Sequence, residues 1–432
     1  MGLGLLGRGV GDAAFLAECG AQVLVTDRKS ETELAESVAK LKQYPNITFK
    51  LGGHDIHDFT NCDMVLKAAG VPLDSQEIAA ARAAGVPVVM STALFAKYAA
   101  EAGAKIVGVT GTRGKTTVSH MIFHVLKQAG KSALLGGNIR GISTLSMLPE
   151  VENGTIAVLE LDSWQLQGFG DLNISPYISV FTNLMPDHQN YYSDMGAYFA
   201  DKANIFKNQK SGDILFVGKS ILEQVEAARP QAEPHVPSAI PADWNLQVVG
   251  EHNRENVSFA VAVLQRLGLS DAEIKAGLES FEPVEGRLQL VREVRTDGLS
   301  GQGVKIYNDN NATTPEATVA AISALGSDIT LIVGGSEKGL PLQELVSAIK
   351  AAVSHVILLT HEQYKGSARL AELLRKESIP FEKATNLSDA VSSAFAQAKS
   401  GTVLFSPAFA SFGMFKNEYE RNDEFLKLVR SA

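Results

Sequence analysis

The sequence predicts three α/β domains in line, and three observations carry that expectation. At 432 residues the chain is too long for one comfortable hydrophobic core, so two or three domains are expected. Apolar residues make up 45% and charged residues 20%, an ordinary globular balance that supports packed cores rather than disorder. Three successive stretches each alternate short apolar runs with helix-like segments, the pattern of parallel sheets with helical crossovers.

The first stretch, 1–98, contains strands at "AQVLVTD" (21–27), "DMVLKAAG" (63–70) and "VPVVMS" (86–91). It opens on "MGLGLLGRGVG", a glycine turn with no apolar strand ahead of it. Such turns normally leave a strand, so a short first strand is expected to be missing from this chain. Asp27 stands 20 residues beyond Gly7, the spacing of a dinucleotide fingerprint, and the domain reads as Rossmann-like. An NAD-dependent dehydrogenase fits that much and explains nothing further along.

The second stretch, 99–284, has strands at "AKIVGVTG" (104–111), "TIAVLEL" (155–161), "YISVFTNL" (177–184) and "DILFVG" (213–218). A proline-rich run at 228–244 reads as irregular. A helix follows "GEHNREN", with Val257, Val261, Leu264 and Gly268 on one side. The third, 285–432, repeats the theme with "VKIYND" (304–309), "DITLIVGG" (328–335), "HVILLT" (355–360) and "TVLFSP" (402–407), again Rossmann-like.

A net charge of −9 argues against nucleic-acid or anionic-membrane surfaces, so an anionic ligand needs local cations and backbone N–H donors. Cys19 and Cys62 are the only cysteines, which excludes a disulfide framework or a cysteine zinc site. With no leader-like segment and no apolar run near 18 residues, a cytoplasmic location without membrane insertion is expected. A monomer is expected too, although no sequence feature sets the oligomeric state.

The sharpest signal is "GVTGTRGKTTVSHM" (108–121). An apolar strand runs into a loop with Gly111 and Gly114, then into a helix with Val118, Ile122, Val125, Leu126 and Ala129 on one face and Gly130 to stop it. In that context the loop amides, Gly111, Thr112, Gly114 and Thr117 among them, form an anion cradle at a helix N-terminus. Lys115 then reaches the β- and γ-phosphates, and the Thr116 hydroxyl suits Mg²⁺. Strict P-loop spacing nonetheless requires glycine at position 109, where this chain has Val109.

That exception fits a resemblance. "GVTGTRGKTT" is similar to the T-G-T-x-G-K-[ST]-[ST] loop of the Mur ligases, ATP-dependent enzymes that build the peptidoglycan peptide stem. The likeness covers nearly the whole chain and is strongest to the D-glutamate-adding, MurD-type branch. It runs through "GLGLLG", "AAGVPLDSQEIAAARAAGVPVV", "GGNI", "LELDSWQL", "NLMPDH", "YFADKANIF", "GEHNRENV", "EGRLQLV", "YNDNNATTPEAT", "LIVGGSEKG" and "FSPAFASFGMFKNEYERNDEF", in the family's order.

The resemblance implies a central P-loop ATPase-like domain between the two Rossmann-like ones. It implies ATP, two Mg²⁺ ions, a UDP-N-acetylmuramoyl-L-alanine acceptor and D-glutamate, joined through an acyl phosphate. By family position, Glu160 takes one Mg²⁺, His188 a second, and Lys202 carries a carbamate beside the metal. Asn256, Arg287 and Asp309 fall to ATP. Gly4, Leu5, Leu6, Asp27, Arg28, Asn138 and Gln165 fall to the UDP sugar, and Thr313, Lys338 and Ser411 to the amino acid. Without the resemblance, Glu160 reads as a solvated strand-end charge, His188 as a loop histidine and Lys202 as a surface lysine.

Four departures stand out: Leu6 replaces a small hydroxyl residue, Asp162 a serine, Thr92 an acid, and Asn311 a lysine. The extra charge of Asp162 is expected near the active centre. The cation missing at Asn311 leaves the amino-acid preference open. A sibling ligase with another amino acid or acceptor, or a silent nucleotide-sugar-binding paralogue, are the alternatives.

Overall fold

Near-continuous runs of Val, Ile and Leu build the central sheet because both of its faces are covered, the usual condition of parallel strands. In the computed structural model, which describes residues 1–5, 7–187, 191–295 and 303–431, two compact units form. One comprises Met1–Ala239 with Asn256–Gly277; the other comprises Ile240–Glu255 with Leu278–Ala432.

The first unit begins with two short parallel pairs, β1 (Val23–Asp27) on β2 (Ile47–Leu51) and β3 (Val65–Leu66) on β4 (Val88–Val89). The first two residues bridge these pairs. The Gly2 N–H donates to Thr26 O at 2.9 Å, the Met1 ammonium donates to Leu66 O at 2.9 Å, and the Ala68 N–H donates to Met1 O at 3.0 Å.

The central sheet follows, from β5 (Lys105–Thr110), β6 (Ala133–Gly137), β7 (Ile156–Glu160), β8 (Ile178–Phe181), β9 (Ile214–Val217) and β10 (Pro234–His235). Its order is β10-β9-β8-β5-β7-β6, parallel throughout. After β5 the chain builds β6 and β7 on one side, then crosses to β8 on the other. Strand order reverses there, and the crevice beyond the carboxyl ends of such strands is the general ligand position of open α/β sheets. The helix Lys115–Gln128 packs on β5, β6 and β7, while Met195–Lys207 packs on β5 and β8, so both flank that crevice.

The second unit holds a mixed sheet: β11 (Gln289–Arg295), β12 (Gly303–Asn308), β13 (Ile329–Val333), β14 (Val353–Leu359), β15 (Glu382–Ala384) and β16 (Gly401–Phe405). The order is β11-β12-β16-β13-β14-β15, with only β11 antiparallel.

The strands read from sequence form, and the face of the helix after the glycine loop is buried as expected at Val118, Ile122, Val125 and Leu126. Gly130 follows that helix with φ 67°, the left-handed stop that glycine permits. The helix Glu251–Arg266 buries Val257, Ala260, Val263 and Leu264, so its inner face is rotated from the expected one. The proline-rich run carries one short strand, β10, pairing with Leu215 and Phe216. No helix among the described residues is long and apolar enough to cross a membrane.

Candidate nucleotide site and amino-acid cleft

The loop after β5 is moulded by the segment after β8. The Thr112 N–H donates to Asn183 O at 3.0 Å and the Arg113 N–H to Asn183 Oδ1 at 2.9 Å. In return, the Thr182 hydroxyl donates to Arg113 O at 2.6 Å. Gly111 and Gly114 have φ of 145° and 85°. A Cβ on Gly111 would lie 1.9 Å from Thr182 Oγ1, and one on Gly114 would lie 2.4 Å from Asn256 Oδ1. The glycines are therefore needed for both backbone conformation and close approach. Lys115 opens the helix, and its Nζ donates back to Gly111 O at 3.0 Å and Thr112 O at 3.1 Å. The lysine is folded over its own loop.

Two further ionisable groups are buried on neighbouring elements, Lys202 against the loop and Glu160 in register with Val109 on the adjacent strand. Lys202, on Met195–Lys207, is 1% exposed. Its Nζ donates to Gly111 O at 2.9 Å and lies 4.8 Å from the Tyr198 ring centroid. Burial, reinforced by the Lys115 charge, holds its amine well below the ordinary lysine range. Glu160 ends β7 and is 3% exposed. Its Oε1 accepts a long 3.5 Å bond from Asn138 Nδ2, while Oε2 is buried without a hydrogen-bond partner. A buried carboxylate oxygen left unsatisfied at the end of the strand beside β5 is a donor that a hard cation takes up, so Glu160 fits a magnesium ion. His188 and Leu6 lie outside the described residues.

Among the remaining first-unit positions, Asp27 Oδ2 accepts from the Gly4 N–H at 3.1 Å and Oδ1 from the Lys29 N–H at 2.9 Å, so it fastens the glycine turn to the end of β1. Leu5 is exposed, and Arg28 pairs with Glu77 at 3.5 Å. Gln165 is buried, with both ends of its amide used internally. Oε1 accepts from the Asp162 N–H at 3.2 Å, and Nε2 donates to Thr92 Oγ1 at 3.1 Å. Asp162, expected as an added charge at the centre, accepts from the Gln165 N–H at 2.7 Å and completes a capping box on the helix Ser163–Asp171. Two of the four departures are thus absorbed in one hydrogen-bonded group.

In the second unit the expected residues lie on loops at the carboxyl ends of the strands. Asp309 follows β12; its Oδ2 accepts from Ser406 Oγ at 2.8 Å and its Oδ1 from the Leu288 N–H at 3.1 Å, which fixes the backbone beside Arg287. Thr313 and Lys338 meet, Nζ to Oγ1 at 3.4 Å, and line one cleft with Arg369 and Phe409. Ser411 is buried nearby in sequence, its carbonyl accepting from Tyr364 OH at 3.2 Å. Asn311, which stands where the resembled family motif has a lysine, donates from Nδ2 to Glu285 O at 3.4 Å.

One residue went unnoticed in the sequence. Arg421 is fully buried, with Nε donating to Asn310 Oδ1 and Nη2 to Asn310 O, both at 2.8 Å, and Nη1 to Phe409 O at 3.2 Å. It ties the loop bearing Thr313 to the loop bearing Ser411. Burial lowers its guanidinium pKa to about 10. The only signal was its place in the C-terminal family segment, which gave no role.

A parallel sheet whose strand-reversal point carries a glycine loop opening into a helix defines the nucleotide-binding α/β class. The comparisons narrow it. Residues 1–90 match the Mur ligase MurD-like N-terminal domain, 109–236 the Mur ligase middle domain, and 286–409 the Mur ligase glutamate ligase domain. The chain belongs to the Mur ligase family. It is 33% identical over 471 residues to a UDP-N-acetylmuramoylalanine–D-glutamate ligase of Roseiflexus sp. (strain RS-1), covering 100% of this chain and 97% of that one. The same-named protein of Borreliella burgdorferi (strain ZS7) is 34% identical over 459 residues, with the same coverage. Among solved structures, UDP-N-acetylmuramate-alanine ligase MurC of Thermotoga maritima superposes with TM-score 0.62 at 20% identity, covering 100% and 98% of the two chains. MurF ligase of that organism, in complex with ADP, gives 0.62 at 16%, covering 95% and 96%. These two show the shared three-domain fold.

Proposed function

We propose that the chain is an ATP-dependent amide ligase that joins D-glutamate to UDP-N-acetylmuramoyl-L-alanine in peptidoglycan precursor synthesis, releasing ADP and phosphate. The observation that carries this reading is the meeting of Lys115 and Lys202 on one carbonyl of the glycine loop, in a chain related along its whole length to ligases of that name.

The loop amides and Lys115 bind and orient the nucleotide phosphates, so the acceptor's carboxylate attacks the γ-phosphate in line and forms an acyl phosphate. The amino-acid amine then adds to that carbonyl, and the tetrahedral intermediate expels phosphate. Both steps gather negative charge, which Lys115 offsets from a fixed position. Magnesium, held by Thr116 and Glu160 with a second ion at His188, supplies Lewis-acid stabilisation of the phosphate oxygens when bound.

Lys202 is the carbamate site. Desolvation and the Lys115 charge both loosen the proton of this buried amine, and its free-base form adds to CO₂; the N–C bond forms, a proton leaves, and the product is an anion. The product places an anion beside the Lys115 ammonium, which bonds the same Gly111 carbonyl. Asn256, Arg287 and Asp309 are assigned to the nucleotide. Gly4, Asp27, Arg28, Asn138 and Gln165 are assigned to the UDP sugar, with Asp27 and Gln165 acting through the backbone and helix they hold. Thr313, Lys338 and Ser411 are assigned to D-glutamate. Domain limits of 1–98, 99–284 and 285–432, a monomer and a cytoplasmic location complete the proposal.

The test is phosphate release from ATP with UDP-N-acetylmuramoyl-L-alanine and a panel of amino acids. Release that requires both the acceptor and D-glutamate is expected. Release with another amino acid transfers the reading to a sibling ligase, and no ADP with any of them ends it.

A further inference from the structure

The loop between β6 and the turn Leu145–Glu150 is tied down at both ends, and one of the ties reaches a residue with no role so far. At the near end, the Gly137 N–H donates to Thr144 Oγ1 at 2.8 Å and the Asn138 N–H to Glu160 O at 2.8 Å. At the far end, Ser143 Oγ donates to Asp12 Oδ1 at 2.6 Å, across 131 positions of chain. Ser143 is itself held, its Oγ accepting from the Ser146 N–H at 3.2 Å and its carbonyl from Ser146 Oγ at 2.8 Å. Asp12 lies on the helix Arg8–Glu18, which leaves the glycine turn. A bonded run therefore joins that helix, through Ser143, Thr144 and Gly137, to Asn138 and the strand end at Glu160.

Packing alone does not need the carboxylate. A Cβ on Gly11 would lie 2.5 Å from Ser143 Cβ, so helix and loop already meet in close contact. Asp12 adds a directional tie, and at a cost. Burial raises its carboxyl to about 6, against the pull of the Ser143 and Ser91 hydroxyls, Arg8 and the Met1 ammonium. It is still ionised at neutral pH, and a hydroxyl that donates to a carboxylate at 2.6 Å makes one of the stronger hydrogen bonds. A long ligand gives that tie a purpose. A nucleotide sugar with its handle at the glycine turn and its acyl end at Asn138 spans the two elements that Asp12 joins.

We infer that Asp12 is a positioning residue for the acceptor: through Ser143 it holds the loop bearing Asn138 against the helix after the glycine turn, and so sets the separation between the two ends of one nucleotide-sugar seat. The inference rests on the ligase reading above.

The experiment measures Kd for UDP and for UDP-N-acetylmuramoyl-L-alanine by calorimetry, and KM and kcat of the full chain. It compares wild type, Asp12→Ala, Ser143→Ala, the double variant and Asp12→Asn. In Asp12→Ala, Kd and KM for the acceptor rise about tenfold, while Kd for UDP and the KM values for ATP and D-glutamate stay within about twofold. Ser143→Ala behaves alike, and the double variant is no worse than either single one. Asp12→Asn, which keeps an oxygen facing the hydroxyl, recovers most of the affinity. If Asp12→Ala does not fold, Ser143→Ala carries the test. UDP weakened as much as the acceptor gives Asp12 a role in the glycine turn alone and overturns the inference. So does an acceptor affinity unchanged in either alanine variant, or effects that multiply in the double variant; each of these leaves the ligase reading standing. A wild type that binds no acceptor overturns both.

Discussion

The glycine loop after β5 and the cleft of the second unit both lie at carboxyl ends of parallel strands, yet they are built in opposite ways. The first is six consecutive residues, TGTRGK at 110–115, whose conformation is set by its own glycines and trimmed by Thr182 and Asn183. The second is gathered from four segments after four strands and held by a buried arginine. A site made from one stretch separates chemistry from stability. In a site made from several, the groups that hold the loops also hold the fold.

The largest expected effect tests the first half of that contrast. Lys202→Ala lowers kcat by at least about 10³-fold while the circular dichroism spectrum is retained, because the loss is electrostatic rather than architectural. Short carboxylic acids restore part of the activity; full activity in the alanine variant refutes the carbamate role.

Arg421→Met probes the other half. It leaves Asn310 Oδ1, Asn310 O and Phe409 O without their donor, which costs about 3 kcal/mol in urea unfolding and raises KM for D-glutamate in the same variant. A variant of unchanged stability would show that the two loops hold themselves.

Lys67 sharpens the comparison, being a buried cation with poor partners. It is 2% exposed, and Nζ donates only to Val71 O at 2.9 Å and Ala68 O at 3.4 Å. Burial lowers its pKa from 10.5 to about 8. The unfolded chain therefore binds the proton more tightly, so stability rises as pH climbs from about 8 towards the unfolded value of 10.5. Lys67→Met stabilises the chain by about 2 kcal/mol at pH 7, and the gain disappears above that window. A melting temperature that falls at pH 7 refutes it.

The smallest effect concerns Asp162. Its replacement by alanine costs about 1 kcal/mol through loss of the capping box, whereas serine, which also caps, stays within about 0.5 kcal/mol of wild type. Equal stability of all three in urea titrations would remove the cap from the account.

The same contrast explains what could be read before the structure. The β5 loop, its helix and Gly130 were legible because their determinants are contiguous and periodic. Lys202 and Glu160 were legible only as family positions. What the sequence hid is that one is buried against a loop 91 positions away and the other has an unpartnered oxygen, since both depend on the folded neighbourhood. Asp162 was read as a charge near the centre, and its field does act on Lys202; its second role, capping a helix, was not seen because a D-x-x-Q cap looks like any other acidic loop until the backbone is known. Arg421 was illegible in a stronger sense: it ties a nearby loop to Asn310, 111 positions away, and no local pattern distinguishes it from a surface arginine.

The links that gather the loops of the second unit join residues between 309 and 421 to one another. That stretch is accordingly a transferable cassette. Grafted onto a relative with a different amino-acid choice, it should bring its own selectivity with it, whereas moving any one of its loops should bring nothing.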